Sequence, residues 1–191
     1  MKRSHAAAWM CVAALCCTFS AAAFQDEAPM VARIEKAVND AEYRVSPTAR
    51  WSKASSGSIL TAGSEIRTKE TDFVMIRFMD GSKMAVRPHT HIRILGDISG
   101  NSTLNRGVLI ERGRAVLNIT RQEEQFRVNS PVSTTLIRRG EVGMSFDPVE
   151  NRATLAIATG QAEVRGTEQD CNVVVEAGHS ATIDSSGCRV D

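Results

Sequence analysis

The residues with the chemistry to hold a metal or carry a reaction are few. His89 and His91 alternate, so on a strand their rings would share a face and could supply two ligands of a zinc site. Arg87 and Arg93 have the same parity, and two cations beside a would-be cation site argue for a solvated strand face instead. His179 follows Gly178 in an expected bend. A serine nucleophile calls for a Gly-x-Ser-x-Gly elbow between strand and helix, and the chain has none. Ser82 belongs to Asp80-Gly81-Ser82, which reads as a hairpin turn with no base within sequence reach. Asp97, Asp147 and Asp184 stand apart from one another, and no phosphate-binding glycine loop precedes a helix. The expectation is therefore a protein with no catalytic residues, no cofactor and no metal.

Two cysteines, Cys171 and Cys188, remain once the first segment is set aside. That segment has the order of a secretory signal peptide: Lys2 and Arg3, an apolar run from about Ala6 to Leu15, then the small residues Ser20-Ala21-Ala22-Ala23. A transmembrane anchor would need about 20 apolar residues and commonly a charged flank, whereas Phe24-Gln25-Asp26-Glu27 supplies no positive stop. Cleavage after residue 23 would remove Cys11, Cys16 and Cys17. An even pair in an exported chain is expected to form one structural disulfide; a redox pair or metal site would want a Cys-x-x-Cys or a nearby histidine cluster. Without Lys2 and Arg3 the chain carries 21 Lys and Arg against 22 Asp and Glu. That balance gives no electrostatic reason for a nucleic acid or an anionic membrane as partner. The expected location is periplasmic or secreted, with no membrane span after cleavage.

The elements that position these residues are read from periodicity. Residues 24–30 are expected to be a flexible start. Residues 31–45 are ambiguous: Val31, Ile34 and Val38 have helical spacing, yet the segment also divides into two short strands around Asn39-Asp40. From residue 59 onward, short alternating runs are separated by Gly, Asp, Asn and Ser, the pattern of half-buried strands. Residues 73–79 and 83–87 flank Asp80-Gly81-Ser82 as a hairpin. An apolar residue followed three places later by glycine recurs at Leu60/Gly63, Ile110/Gly113, Ile137/Gly140, Ile157/Gly160 and Val175/Gly178. The last four glycines are 27, 20 and 18 residues apart. Irregular units of this size suggest an all-β fold, solenoid-like or a two-sheet roll of short Gly-punctuated strands, with a plain sandwich as the alternative.

The order of these motifs resembles a FecR-type domain. The opening pattern is matched by Gly57, Leu60, Gly63, Ile66 and Thr68. The strand, turn and return strand are matched by Val74, Ile76 and Phe78, then Asp80-Gly81-Ser82, then Met84, Val86, Pro88, Thr90, Ile92 and Ile94. Gly113 to Ile119, Ser130-Pro131 and Arg139-Gly140 follow in family order, although Glu141 stands where a threonine is usual. Val175, Gly178 and Ile183 close the pattern. The resemblance covers about residues 31–184 and makes residues 31–191 one expected domain. It implies a periplasmic β domain. In the best-known members that domain relays the state of an outer-membrane siderophore receptor to a cytoplasmic sigma factor, from behind a cytoplasmic segment and a membrane helix. With a signal peptide in their place, direct sigma-factor control is not expected here.

One strand is apolar on both faces. Val74, Ile76 and Phe78 form one side of residues 73–79; Phe73, Met75 and Met79, broken by Arg77, form the other. Either residues 31–45 cover that second side, or it is a partner patch with adaptable methionines. The expected function is thus a non-catalytic envelope binding or scaffolding module, in a signalling route or outside one, with an envelope protein or glycan as partner. The alternatives are a structural part of an envelope assembly joined through exposed strand edges, and, ranked below it, a small secreted hydrolase.

Overall fold

The computed structural model describes residues 30–99, 103–120, 125–167 and 171–191. The expected signal peptide, residues 1–23, and all of the expected flexible start except Met30 lie outside them. The described residues form fifteen strands. These are β1 (Met30–Val38), β2 (Glu42–Arg44), β3 (Ser52–Lys53), β4 (Ile59–Thr61), β5 (Glu65–Arg67), β6 (Phe73–Phe78), β7 (Lys83–Val86) and β8 (His91–Ser99). Then come β9 (Thr103–Ile119), β10 (Phe126–Ser130), β11 (Ser133–Asp147), β12 (Arg152–Gly166), β13 (Asn172–Glu176), β14 (Ser180–Asp184) and β15 (Gly187–Val190). All belong to one hydrogen-bonded sheet that does not close into a barrel. Its described pairings are antiparallel except that of β9 with β10. Among the described residues no helix is long and apolar enough to cross a membrane.

The sheet is folded over on itself, and three long strands make the fold. The second half of β9 pairs with β7, and its first half with β8 and β10. In β11, residues 140–146 pair with β9 and residues 133–137 lie beside β10. In β12, residues 153–156 pair with β14 and residues 161–165 with β13. One layer therefore runs β15-β14-β12-β11-β9-β7-β6-β1-β4, and the other runs β13-β12-β11-β10-β9-β8-β5-β2-β3. Period-two alternation turns one side of each strand inward, and the buried apolar residues form one continuous core. Phe78 of β6 meets Phe126 of β10 across that core, edge to face, with ring centroids 4.9 Å apart.

Every glycine of the sequence repeat marks a change of layer. Gly63 lies between β4 and β5, Gly178 between β13 and β14, and Gly113, Gly140 and Gly160 lie within β9, β11 and β12; all five have positive φ. The strands were expected to be short and to end at these glycines. Three of them instead run straight through, at 17, 15 and 15 residues. Gly140 and Gly160 are cross-strand partners, so these two 15-residue strands bend at one line. At that line a Cβ on Gly140 would collide with the Thr159 carbonyl oxygen, and a Cβ on Gly160 with the Arg139 carbonyl oxygen.

The ambiguous N-terminal segment resolves into β1 and β2 around Asn39, which has φ +62°. β1 pairs edge-on with β6 and β4, in the plane of the sheet. It therefore lies beside Phe73 and Met75 rather than over them. At the other end, Cys171 precedes β13 and Cys188 lies in β15, and a disulfide joins them with Cα atoms 5.9 Å apart. The bond stitches the terminal strand of one layer to that of the other.

The outer face of the second layer holds a lattice of ion pairs. Cross-strand register aligns Arg44, Glu65 and Arg93 in one row and Glu42, Arg67 and His91 in the next. Glu65 is fully buried. It accepts hydrogen bonds from Arg44 Nε at 2.9 Å and Arg93 Nε at 3.1 Å, and His91 Nε2 lies 3.1 Å away. His91 Nδ1 and Arg93 Nη2 both reach Glu111, at 2.9 and 2.7 Å. Trp51 lies against this lattice, its ring centroid 4.6 Å from the Arg44 guanidinium and 4.1 Å from that of Arg67. Burial by itself would raise the pKa of Glu65, but the bonds from Arg44, His91 and Arg93 outweigh it and hold the carboxyl below its ordinary 4.5.

Two predictions follow from these constraints. Gly140→Ala should cost about 2 kcal/mol or more in urea unfolding, because it adds a backbone clash to a left-handed conformation. Gly143→Ala on the same strand, where the nearest atom to a Cβ is 3.9 Å away, should change stability by under about 1 kcal/mol. Glu65→Gln should cost about 3 kcal/mol, the low end for a broken buried pair because its cationic partners are partly exposed. A carboxyl with a lowered folded pKa stabilises above its unfolded pKa, and loses that stabilisation as pH falls through the folded value. The wild type should therefore lose stability below about pH 4.5, and the Glu65→Gln variant should lose less across the same range, as read from unfolding midpoints at stepped pH.

Candidate binding face

The outer face of the first layer is organised differently from the lattice. Alternation buries Val74, Ile76 and Phe78 of β6 and turns Phe73, Met75 and Arg77 outward, half-buried. Register then carries an apolar row across five strands: Met75, Ala85, Val116, Gly143 and Ala156. These side chains are small beyond Met75, so the row has low relief. A second row runs beside it. The Arg87 amide donates to the Arg114 carbonyl at 3.1 Å, Arg114 is the cross-strand partner of Ser145, and Ser145 that of Thr154. The Arg87 guanidinium lies 5.9 Å from the Phe73 ring centroid.

This second row is the floor of an open groove of about 1410 Å³, bordered by the loops at residues 68–72 and 147–150. Two residues of the sequence motif fix its rim. Thr68 Oγ1 donates to the Arg87 carbonyl at 2.6 Å and accepts from the Thr90 amide at 3.0 Å. Thr90 Oγ1 in turn accepts from the Arg114 amide at 2.9 Å. Asp72 accepts from the amides of Asp40 and Lys69, at 3.0 and 2.8 Å, which ties one bordering loop to the turn after β1. On the other side Asp147 accepts from the amide of Val149 at 2.8 Å, and Glu150 pairs with Arg152 at 2.7 Å.

Of the carboxylates lining the groove, Asp72, Asp147 and Glu150 are thus committed, while Glu70 has no partner among the described residues. Asp40 is also paired, with Lys53 at 2.8 Å. Three exposed arginines, Arg87, Arg112 and Arg114, have no carboxylate partner among the described residues. The uncommitted charge of the floor is positive. Guanidinium forks suit carboxylate or phosphate groups, so the arrangement is one for holding an anion.

Phe73 and Met75 of the expected patch lie on this face, beside the groove. Met79 does not join them. β6 ends at Phe78, and Met79 sits beyond it, 57 % exposed, its amide bonded to the Val31 carbonyl at 3.1 Å. That places it about 20 Å along the strand from Phe73. Asp80, Gly81 and Ser82 form the turn: the Gly81 amide donates to the Phe78 carbonyl at 3.0 Å, and Asp80 Oδ1 accepts from the Ser82 amide at 2.7 Å. His89 and His91 do not share a strand face. His89 has φ +55° at the groove rim, whereas His91 belongs to the Glu65 lattice. His179 lies in the turn after Gly178, with Nδ1 3.1 Å from the Asp191 carbonyl oxygen. Among the described residues no three His, Cys, Asp or Glu side chains are placed to hold a metal ion. Sequence reasoning did not single out Arg87, Arg112 and Arg114 as a site. Arg112 and Arg114 flank the layer-changing Gly113, whereas Arg87 stands before Pro88 with no comparable local signal.

Residues 64–163, which carry the groove's arginines and all of both rows, match the sequence family described as FecR protein. No curated protein sequence matches the chain. Two crystal structures of a "putative anti-sigma factor" from Parabacteroides distasonis ATCC 8503 share the fold, with TM-scores of 0.56 and 0.57 at 18 % and 17 % identity. In each case the match covers 66 % of this chain and 58 % of the other, so this chain spans less than two thirds of their length. With over half of its residues inside the family match, the chain belongs to the FecR family.

Proposed function

We propose that this protein is a non-catalytic binding module of the cell envelope that takes part in signal relay. The observation that carries the reading is the outer face of the first layer. Its groove presents three arginines without carboxylate partners among the described residues, next to a row of small apolar side chains. On the opposite face the charges around Glu65 are matched to one another. Membership of the FecR family favours a regulatory role over an enzymatic one, and the names given to the two structural relatives point the same way. A location in the periplasm or beyond rests on the signal-like residues 1–23 and agrees with a disulfide between Cys171 and Cys188. The partner is an envelope protein or glycan, the chain's near-zero net charge giving no pull toward nucleic acid.

A second reading, a structural part of an envelope assembly, is favoured by Ile59 on β4 and Val174 on β13. They are 55 % and 58 % exposed on strands that pair on one side only. A secreted hydrolase would need a cleft where His, Asp or Glu converge on a nucleophile or a water.

Photo-crosslinking in the native envelope tests the proposal. A photoreactive side chain at Val116 of the tagged full chain should capture a defined product, and one at Lys53, beside the ion-pair lattice, should not. No product above background from either position would overturn the binding-module reading. Self-association in sedimentation that rises with concentration would favour the assembly reading instead.

A further inference from the structure

We infer that the groove takes an extended, acidic segment of a partner protein, an inference that rests on the binding-module reading above. Size argues first. At about 1410 Å³ the groove exceeds the roughly 300–1,000 Å³ of sites built for small molecules. It is also open to solvent, as a polymer requires. The apolar row from Met75 to Ala156 crosses five strands. At about 4.8 Å between strands that is about 19 Å, the reach of roughly six residues of extended chain. Such a chain turns alternate side chains to opposite sides, so one set can meet the apolar row while carboxylates beside it meet the arginine row.

Charge gives the sign of the occupant. Arg87, Arg112 and Arg114 are uncommitted among the described residues, while Asp72, Asp147 and Glu150 already accept amides or a guanidinium. An incoming carboxylate would find forked donors with no resident anion to displace. The position of the arginines favours a peptide over an anionic membrane. Arg87 and Arg114 lie on the floor, whereas the bordering loops carry Glu70, Asp72, Asp147 and Glu150 beside Lys69. A flat anionic surface would meet those acids first; a narrow chain passes between the loops to the floor.

The test is a fluorescence polarisation titration of the full chain with a labelled octapeptide of alternating Glu and Val, at low ionic strength. Saturable binding is expected. Arg114→Glu and Arg87→Gln should each weaken it about tenfold. Arg127→Glu, an exposed charge on the other layer, should leave it unchanged. Melting curves check that each variant is folded, and the two groove variants change different strands, so one suffices if the other unfolds. No binding, equal binding by the groove variants, or equal binding of a Lys-Val octapeptide overturns the inference. So does arginine-dependent sedimentation with phosphatidylglycerol vesicles in the absence of peptide binding, which would assign the groove to a membrane surface. Crosslinking separates this failure from that of the broader reading. A partner captured equally by wild type and Arg114→Glu would leave the binding module standing and remove this site from it.

Discussion

The fold depends on two glycines that face each other. Gly140 of β11 and Gly160 of β12 are paired residues, and both have the positive φ that lets a strand turn sharply without breaking its ladder. Because they are opposite one another, both strands bend at one line and the pairing resumes beyond it. Gly113 does the same for β9, where a Cβ would meet Thr90 Oγ1 at 2.5 Å. The three long strands thus carry the sheet from one layer to the other without a loop. Since the side-chain period is two, the position of each bend also decides which residues face inward in both layers.

The same glycines show what a linear reading reaches and where it stops. Alternation along β6, β9, β11 and β12 identifies an all-β chain, and the spacing of Gly113, Gly140, Gly160 and Gly178 marks the layer changes. It does not say that the hydrogen bonds continue through them. A break in alternation looks alike at a loop and at a bend within a strand. The N-terminal ambiguity has a physical cause as well. β1 carries a bulge between Ile34 and Lys36, which shifts the inward face by one residue. Period two is lost over the very residues where Val31, Ile34 and Val38 have helical spacing. Met79 has the parity of Phe73 and Met75, yet β6 ends before it. The groove was hidden for another reason: Arg87 and Arg114 are 27 residues apart, and only the pairing of β7 with β9 makes them neighbours.

Folding one sheet into two layers leaves two ends to close. The disulfide does so on one side, where β13 and β15 end their layers. In the chain-entropy model, closing a loop of about 15 residues is worth roughly 3 kcal/mol. The other ends are short, three residues in β4 and two in β3, which offers little ladder to an intruding strand.

The two outer faces then divide the work by the way they spend their charge. In the second layer Glu65 is wholly buried, and two arginines and a histidine from β2 and β8 converge on it. A partner docking there would have to desolvate ions whose bonds are already made, with little new bonding to offset the cost. That face is suited to holding β2, β5, β8 and β9 in register. In the first layer the ties at the groove rim are made largely by hydroxyls and amides: Thr68, Thr90 and the carboxylate of Asp72 on backbone groups. This arrangement fixes the loops without drawing on the guanidinium groups of Arg87, Arg112 and Arg114, which have no carboxylate partner among the described residues. An arginine without a carboxylate partner among the described residues is one whose charge can be given to a partner, and here Arg87 and Arg114 stand beside an apolar row that burial would favour.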